Sequence, residues 1–205
     1  MTDFRLILAT GNAHKVDELF AILSPLLPQL AREEIATLSD FRVTPPVEDE
    51  VTFAGNALLK ARALAAQTGL PCVADDSGLA VEVLGGAPGI FSARWAGKHG
   101  DDQANLDLLL AQLADVKPAH RQAAFVCAAA LVDPVSGLEA VEVGKLNGVL
   151  TDKPRGENGF GYDPIFVPHG FSQTTAELDP QVKNSISHRA VAFTALAPQL
   201  LKVLA

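Results

Sequence analysis

Cysteine and long apolar runs are scarce in this chain, and each scarcity excludes a class of protein. Only two cysteines occur among 205 residues, too few for a fold held together by several disulfides. Cys72 and Cys127 lie inside apolar runs, so we expect two buried free thiols and a cytoplasmic protein; a disulfide between them is the alternative, which their separation in sequence neither supports nor excludes. No stretch approaches the roughly 18 unbroken apolar residues of a membrane-spanning helix, and the N-terminus lacks the pattern of a signal peptide.

Positively charged residues are also fewer than negatively charged ones. The chain has 16 lysines and arginines against 24 aspartates and glutamates, a formal net charge of −8. We therefore expect no binding of duplex nucleic acid through bulk positive charge, and an anionic small ligand would need a local basic cluster or a metal ion. The apolar fraction of 48% supports a sizeable core and argues against disorder.

Apolar periodicity and turn signals predict an α/β fold with a mixed sheet. Strands are expected over 4–9, 34–38, 72–74, 79–83, 122–132 and 138–149. Helices are expected over 12–27, from a Thr52 cap to Gly69, over 101–114, and from about Ser187 to the C-terminus, the last disturbed at Pro198. Residues 133–137 predict a hairpin between the last two strands. No linker or repeat interrupts the chain, so we expect one domain over 1–205.

A strand-to-helix turn near the N-terminus is suited to a phosphate group. It consists of Thr10, Gly11, Asn12, Ala13, His14 and Lys15. Gly11 allows close backbone approach, the helix start offers unpaired N–H groups, and Lys15 adds a positive charge. The spacing of a P-loop is absent. An ordinary capped helix with a solvated Lys15 is the alternative.

Two aspartates follow an apolar run in the segment Asp75, Asp76, Ser77, Gly78. Adjacent carboxylates repel each other unless they are solvated or bound to a metal. Mg²⁺ prefers carboxylate oxygens, and one carboxylate could act as general base toward a water molecule. Because Asp, Ser and Gly all favour turns, an ordinary turn is the alternative.

A second acidic segment, Glu48, Asp49 and Glu50, precedes the helix that Thr52 caps. Asn56 and Lys60 are four residues apart on that helix and share one face. This polar stripe behind an acidic loop could line a phosphate and metal site. A solvated helix face is the alternative.

Glycines and aromatics alternate over residues 156–164, where Phe160 and Tyr162 lie in a loop with three glycines. Such a loop can place an aromatic face against a nucleobase, or its aromatics can cap the core. Further on, Lys183, His188 and Arg189 form either a ligand site or a basic surface cluster. The rigid segment 85–95 holds the single tryptophan and could shape a pocket or a subunit contact.

Together these segments resemble the inosine triphosphate pyrophosphatase family, whose members clear deaminated purine nucleotides. Each motif is weak alone, but six of them in family order between residues 10 and 189 are specific. The matching pieces are Thr10-Gly11-Asn12 with Lys15, Thr52-Phe53 to Lys60, Asp75-Asp76-Ser77-Gly78-Leu79, Gly85 to Arg94, Phe160-Gly161-Tyr162-Asp163-Pro164, and Lys183 with Ser187-His188-Arg189.

The resemblance implies an elongated mixed β-sheet with two α/β lobes, a cleft between them, and a homodimer. It implies Mg²⁺-dependent hydrolysis of the purine nucleoside triphosphates ITP, dITP and XTP to the monophosphate and pyrophosphate. Asp76 is implied as general base with Lys15 and Lys60 as catalytic partners. Glu48 and Asp76 are implied as metal ligands, and Asp49 or Glu50 could replace Glu48. The implied substrate-binding residues are Thr10, Gly11, Asn12, Ala13, His14, Lys15, Ser77, Phe160, Gly161, Tyr162, Asp163, Lys183, His188 and Arg189.

Three other functions are alternatives to this interpretation of the motifs. Septum-inhibitor-like pyrophosphatases act on modified pyrimidine nucleotides, but their opening motif favours Ser with paired Arg, where this chain has Thr10 and Lys15. A nucleotide sensor would bind a triphosphate without turnover. A kinase-type phosphotransferase would need a P-loop or the kinase signatures, which the sequence lacks.

Overall fold

The computed structural model describes residues 4–10 and 13–205, which form a mixed six-stranded sheet and five α-helices. The strands are β1 (Leu6–Leu8), β2 (Ile35–Thr37), β3 (Cys72–Val81), β4 (Gln122–Val132), β5 (Glu139–Leu150) and β6 (Phe166–Pro168). The helices are α1 (Ala13–Leu23), α2 (Phe53–Thr68), α3 (Asp102–Gln112), α4 (Pro180–Ile186) and α5 (His188–Leu204). The strand order is β2-β1-β3-β4-β5-β6; β1 is parallel to β2 and β3, and β5 is antiparallel to β6. The predicted α/β fold with a mixed sheet is confirmed.

Side-chain caps fix the starts of α2 and α3, two helices that the sequence predicted with nearly the observed bounds. The Thr52 hydroxyl oxygen accepts the N–H of Gly55 at 3.0 Å, and α2 ends at Gly69 in the left-handed conformation, with φ 73°. Asp101 caps α3 by accepting the N–H of Ala104 at 3.3 Å. Local capping chemistry therefore fixes both helix starts close to their predicted positions.

The strands expected over 72–74 and 79–83 are one strand, because β3 runs without interruption from Cys72 to Val81, and the alternative of an ordinary turn at residues 75–78 is wrong. Asp75 and Asp76 lie inside this strand and are buried, at 3% and 8% exposure. Buried carboxylates persist only where other groups compensate their charge. Those groups come from distant parts of the chain and are described with the site below.

Other differences concern short or terminal elements. Helix α1 ends at Leu23 rather than near residue 27, and α5 continues through Pro198. Strand β6 and helix α4 were not predicted, since three and seven residues are too few to show a clear apolar period. Within residues 4–10 and 13–205, no helix has the length and hydropathy needed to cross a membrane.

The chain divides into two compact units, the first formed by residues up to Asp76 with Cys127–Gly144 and Arg189–Ala205. Alternation along β1 gives this unit two apolar clusters. Leu6 and Leu8 pack with residues of α1 and α5, whereas Ile7 packs with the alanines and Leu64 of α2. Helices thus cover both faces of this part of the sheet.

The two cysteines belong to opposite faces of the sheet. Cys72 packs in the cluster with Ile7, and Cys127 packs in the cluster with Leu6. Both are 0% exposed and neither forms a disulfide, which confirms the expectation of two buried thiols.

The second unit comprises Ser77–Val126 and Lys145–His188. Its core is built on the second half of β3, from Ser77 onward, and on the start of β4. Leu79 and Phe125 pack there with Leu109 of α3. The rings of Phe125 and Phe166 lie 4.5 Å apart between centroids. This core supports the loop that carries Phe160.

Candidate functional site

The first unit contains an acidic cluster organised by β3 and α2. Asp75 and Asp76 are consecutive residues of an extended strand, so their side chains point to opposite faces of the sheet. Each carboxylate therefore meets a different set of partners. Asp76 faces α2, and Asp75 faces Arg189 at the start of α5.

On the α2 face, Lys60 lies between two carboxylates. Its Nζ atom is 3.1 Å from Oε1 of Glu48 and 3.7 Å from Oδ1 of Asp76. The other Asp76 oxygen, Oδ2, accepts a hydrogen bond from Nδ2 of Asn56 at 3.1 Å. Glu48 is thus the member of the acidic segment 48–50 whose side chain contacts Lys60, and Asp49 is exposed.

The pKa of Asp76 lies above its ordinary value. Burial is the largest cause, and the negative charges of Glu48 and Asp75 also raise the pKa. Lys60 and the hydrogen bond from Asn56 act in the opposite direction but do not cancel the effect of burial. A carboxylate with a raised pKa accepts a proton more readily, which suits a general base.

The donor set of this cluster fits a hard divalent cation. Glu48 and Asp76 offer carboxylate oxygens around a position that already favours positive charge, since both contact the Lys60 ammonium. No group of three or more His, Cys, Asp or Glu side chains suited to a metal occurs in the described part of the chain. Two carboxylates are enough for Mg²⁺, which retains several waters and binds substrate phosphates.

On the opposite face, Arg189 bridges two carboxylates. Its Nε donates to Oδ2 of Asp75 at 3.3 Å, and its Nη1 donates to Oε2 of Glu18 at 3.1 Å. The side chains of Arg189, Asp75 and Glu18 are 5%, 1% and 10% exposed. Arg189 therefore links α5 to β3 and α1. Glu18 was missed from the sequence, although it lies three residues after Lys15 on the same helix.

The N-terminal turn is described only in part. Thr10 is buried just after β1, and its N–H donates to the carbonyl of Leu8 at 2.9 Å. Gly11 and Asn12 lie outside the described residues. Ala13, His14 and Lys15 form the first turn of α1, and their role in binding phosphate stays a prediction.

In the second unit, Asp163 organises the aromatic loop. One carboxylate oxygen, Oδ2, accepts the N–H of Phe160 at 2.9 Å and a hydrogen bond from Nζ of Lys183 at 2.5 Å. The same ammonium lies 5.5 Å from the centroid of the Phe160 ring. The structure therefore brings together three predicted substrate-binding residues, and the Phe160 ring remains 38% exposed.

Tyr162 is oriented differently from Phe160. It is 5% exposed, and its hydroxyl donates to the carbonyl oxygen of Ser92 at 2.9 Å. Its ring therefore caps the core, which was the alternative interpretation of the loop aromatics. The N–H of Gly161 donates to Oδ2 of Asp102 at 3.0 Å, so Asp102 is a loop contact that sequence reasoning missed.

The remaining predicted residues flank these clusters. Ser77 follows Asp76 in β3 and is half-buried. His188 is buried and stacks on Phe125, with ring centroids 5.1 Å apart and an interplanar angle of 17°. Ser187 separates α4 from α5, and its hydroxyl donates to the carbonyl of Asn184 at 3.2 Å.

Comparison with models of protein families shows to which family this chain belongs. The model of the Ham1 family matches residues 6–199, nearly the whole chain. The chain belongs to the Ham1 family. Among its Ham1 relatives, the dITP/XTP pyrophosphatase of Streptomyces coelicolor is 58% identical over 202 residues, which cover 98% of each chain. The dITP/XTP pyrophosphatase of Corynebacterium efficiens is 50% identical over 206 residues, covering 97% of this chain and 98% of the relative.

Solved structures of Ham1 proteins agree in fold. The HAM1 protein of Coxiella burnetii has a TM-score of 0.85 and 40% identity, covering 97% of this chain and 99% of its own. The nucleoside-triphosphatase/dITP/XTP pyrophosphatase of Mycobacterium abscessus has a TM-score of 0.78 and 47% identity, covering 96% of this chain and 100% of its own. The resemblance inferred from the sequence motifs is confirmed.

Proposed function

We propose that this Ham1-family chain hydrolyses the deaminated purine nucleoside triphosphates ITP, dITP and XTP to the monophosphate and pyrophosphate. The observation that carries the proposal is the cluster of Asp76, Lys60 and Glu48 in the first unit. Its relatives of similar length are named dITP/XTP pyrophosphatases. Such an activity removes non-standard purine nucleotides from the nucleotide pool, and we place it in the cytoplasm.

Charge compensation is the first requirement, because a triphosphate is strongly anionic and the chain has a net charge of −8. Lys60 supplies a fixed positive charge beside Asp76, and Lys15 and Lys183 are assigned to phosphate contacts. Glu48 and Asp76 would hold Mg²⁺, which when bound supplies further positive charge to the phosphate oxygens. Mn²⁺ prefers the same kind of oxygen ligands, so it can replace Mg²⁺ in binding measurements at this site.

The proposed reaction is an attack of water on the α-phosphorus. Asp76 orients the water and accepts its proton, while the water oxygen forms a bond to the α-phosphorus. The bond between that phosphorus and the oxygen bridging to the β-phosphorus breaks, and pyrophosphate leaves. Lys60 stabilises the charge that accumulates on the phosphate oxygens, so positioning and electrostatics supply most of the catalysis.

Base selection is assigned to two groups of residues. The exposed ring of Phe160 offers a stacking surface, and its position is supported by Lys183 and Asp163. Hypoxanthine and xanthine have an acceptor oxygen at position 6, where adenine has an amino donor. Donors from Arg189 or from backbone N–H groups would accept the first two bases and be left unpaired by adenine.

Four further parts of the proposal concern the whole chain. We propose that residues 1–205 act as a single two-lobed catalytic domain, and that the protein is a homodimer. Duplex nucleic acid and membranes are not among its proposed partners. A gel-filtration or light-scattering measurement of mass tests the dimer.

The decisive experiment separates the two phosphate products. Wild-type protein and Asp76→Asn are incubated with ITP, XTP, dITP, ATP and GTP in the presence of Mg²⁺, and pyrophosphate and orthophosphate are measured independently. We expect pyrophosphate from ITP, dITP and XTP, little product from ATP or GTP, and loss of activity in the variant. Tight binding without turnover would indicate a sensor, and direct release of orthophosphate would place the attack on a different phosphorus.

A further inference from the structure

Asn56 uses both ends of its side-chain amide to join two parts of the acidic cluster. Its Nδ2 donates to Oδ2 of Asp76 at 3.1 Å, and its Oδ1 accepts the backbone N–H of Glu50 at 3.1 Å. We propose that Asn56 is a positioning residue, which holds the Asp76 carboxylate and the acidic segment 48–50 in a fixed relation. The inference rests on the proposed function, since it assigns Asn56 a role in that same site.

The two bonds define the orientation of the amide. The backbone N–H of Glu50 can only donate, so the amide atom that faces it is the oxygen. The NH₂ group is then directed at Asp76, whose carboxylate accepts. Asn56 is 1% exposed, so water competes little for either bond, and losing one would leave a buried polar group unsatisfied.

Helix α2 supplies the rigid support for this arrangement. A Cβ atom at Gly55 would lie 2.9 Å from Cβ and 3.0 Å from Oε2 of Glu50, so the absence of a side chain there lets the acidic segment approach the helix. One turn after Asn56, Lys60 contacts Glu48. The segment is thus held to the helix by its backbone at one residue and by a side chain at another.

Two substitutions separate the bonds that Asn56 makes. Asn56→Leu keeps the branching of the side chain but removes both the donor to Asp76 and the acceptor for the N–H of Glu50. Asn56→Asp keeps an acceptor for Glu50 and directs a second carboxylate oxygen at Asp76, where repulsion displaces the reacting group. Groups that orient metal-binding carboxylates affect metal affinity and activity strongly, even without touching the substrate.

The test measures kcat, KM and metal affinity. We compare wild type, Asn56→Leu and Asn56→Asp with ITP at saturating Mg²⁺, well below the melting temperature of each protein, and titrate Mn²⁺ by electron paramagnetic resonance without nucleotide. We expect kcat to fall about 10- to 100-fold in both variants, and the Mn²⁺ dissociation constant to rise about 10-fold or more in Asn56→Leu. The KM for ITP should change less than about threefold, because the substrate contacts remain.

Asn105 provides a matched control. It is also 1% exposed and also lies four residues after the N-cap residue of its helix, and its Oδ1 accepts the N–H of Ala96 at 2.7 Å. Asn105→Leu therefore makes the same change at an equally buried asparagine and removes one buried hydrogen bond away from the acidic cluster. We expect a lower melting temperature, with kcat within about twofold of wild type.

Two results would overturn the inference. The first is an Asn56→Leu variant that keeps its kcat and Mn²⁺ affinity within about twofold of wild type. The second is an equal loss of kcat in Asn105→Leu, which would make the effect one of general packing. If wild type hydrolyses no triphosphate, the proposed function fails, and the Mn²⁺ titration alone still decides the role of Asn56.

Discussion

The ammonium group of Lys60 lies 3.1 Å from Oε1 of Glu48. The two residues are twelve positions apart, and neither is fully exposed, with side-chain exposures of 14% for Lys60 and 32% for Glu48. The same ammonium is close to Asp76. One cation therefore balances the two carboxylates to which we assign the metal.

Removing that cation should impair catalysis more than folding. Lys60→Met keeps the length of the side chain and removes the charge, so we expect kcat/KM for ITP to fall at least about 100-fold. Arg62→Met is the control on the same helix, because Arg62 pairs with Glu139 at 2.6 Å on an exposed surface. Its activity should match wild type, since exposed ion pairs contribute little. Equal activity of the two variants would contradict the assignment of Lys60.

Arg189 should support both stability and base selection. Arg189→Ala leaves Asp75 and Glu18 buried without their shared cation, and we expect about 3–5 kcal/mol lower free energy of unfolding, measured by urea denaturation. Among the molecules that still fold, discrimination between ITP and ATP should weaken. Unchanged selectivity in the folded variant would contradict base recognition by Arg189 and leave it a structural role only.

The loop that carries Phe160 should depend on the absence of a side chain at Gly159. This residue has φ +81°, and a Cβ there would lie 2.1 Å from Oδ2 of Asp163 and 2.9 Å from Nζ of Lys183. Gly159→Ala should displace the loop and raise KM for ITP about tenfold or more.

Gly170→Ala controls for backbone strain alone, because Gly170 has φ +88° and no atom within 4 Å of the added Cβ. It should cost about 1 kcal/mol or more in stability and leave KM unchanged. A similar rise of KM in both variants would show that strain, rather than the collision with Asp163, is responsible.

The hairpin after β4 offers a prediction about pH. Burial tends to raise the pKa of Asp133, but hydrogen bonds from the Ser136 hydroxyl and from the N–H groups of Val135 and Ser136 outweigh it and lower the pKa. A lowered pKa means that the ionised form stabilises the folded state above the unfolded-state pKa. This stabilisation is lost as the pH falls through the folded-state pKa.

Asp133→Ala should therefore lower the free energy of unfolding by about 1–2 kcal/mol at neutral pH. The difference from wild type should shrink as the pH is lowered toward about 2. Asp133→Asn, which keeps an acceptor oxygen, should lose less. Denaturation curves at several pH values check this, and a difference that stays constant with pH would contradict it.

Sequence patterns predicted best those features that depend on neighbouring residues. The cap at Thr52 and the left-handed Gly69 are local, and α2 was predicted accordingly. The break expected between two strands at Asp75 and Asp76 is wrong because the groups that stabilise a buried carboxylate are remote: Arg189 is 114 residues from Asp75. Charge compensation at that distance leaves no local pattern.

The site shows the same division. The sequence identified the acidic segment, Lys60 and Asp76 as candidate site residues. The distances between them, however, depend on how α2 packs against β3. Asn56 was noticed only as part of a polar stripe, since a buried amide has no sequence signature that distinguishes it from a solvated one. Tyr162 was assigned to the substrate, yet its hydroxyl is bound to Ser92, a contact between segments 70 residues apart.

The positions of the two cysteines have a practical consequence for spectroscopy. Burial raises the pKa of the Cys72 thiol to about 12, and both thiols are enclosed on opposite faces of the sheet. A new cysteine at a solvent-facing position such as Val135, which is 85% exposed, would be the thiol that a maleimide dye reaches in the folded protein. Fluorescent labelling at a chosen site can then be done on the natural background, without first replacing either native cysteine.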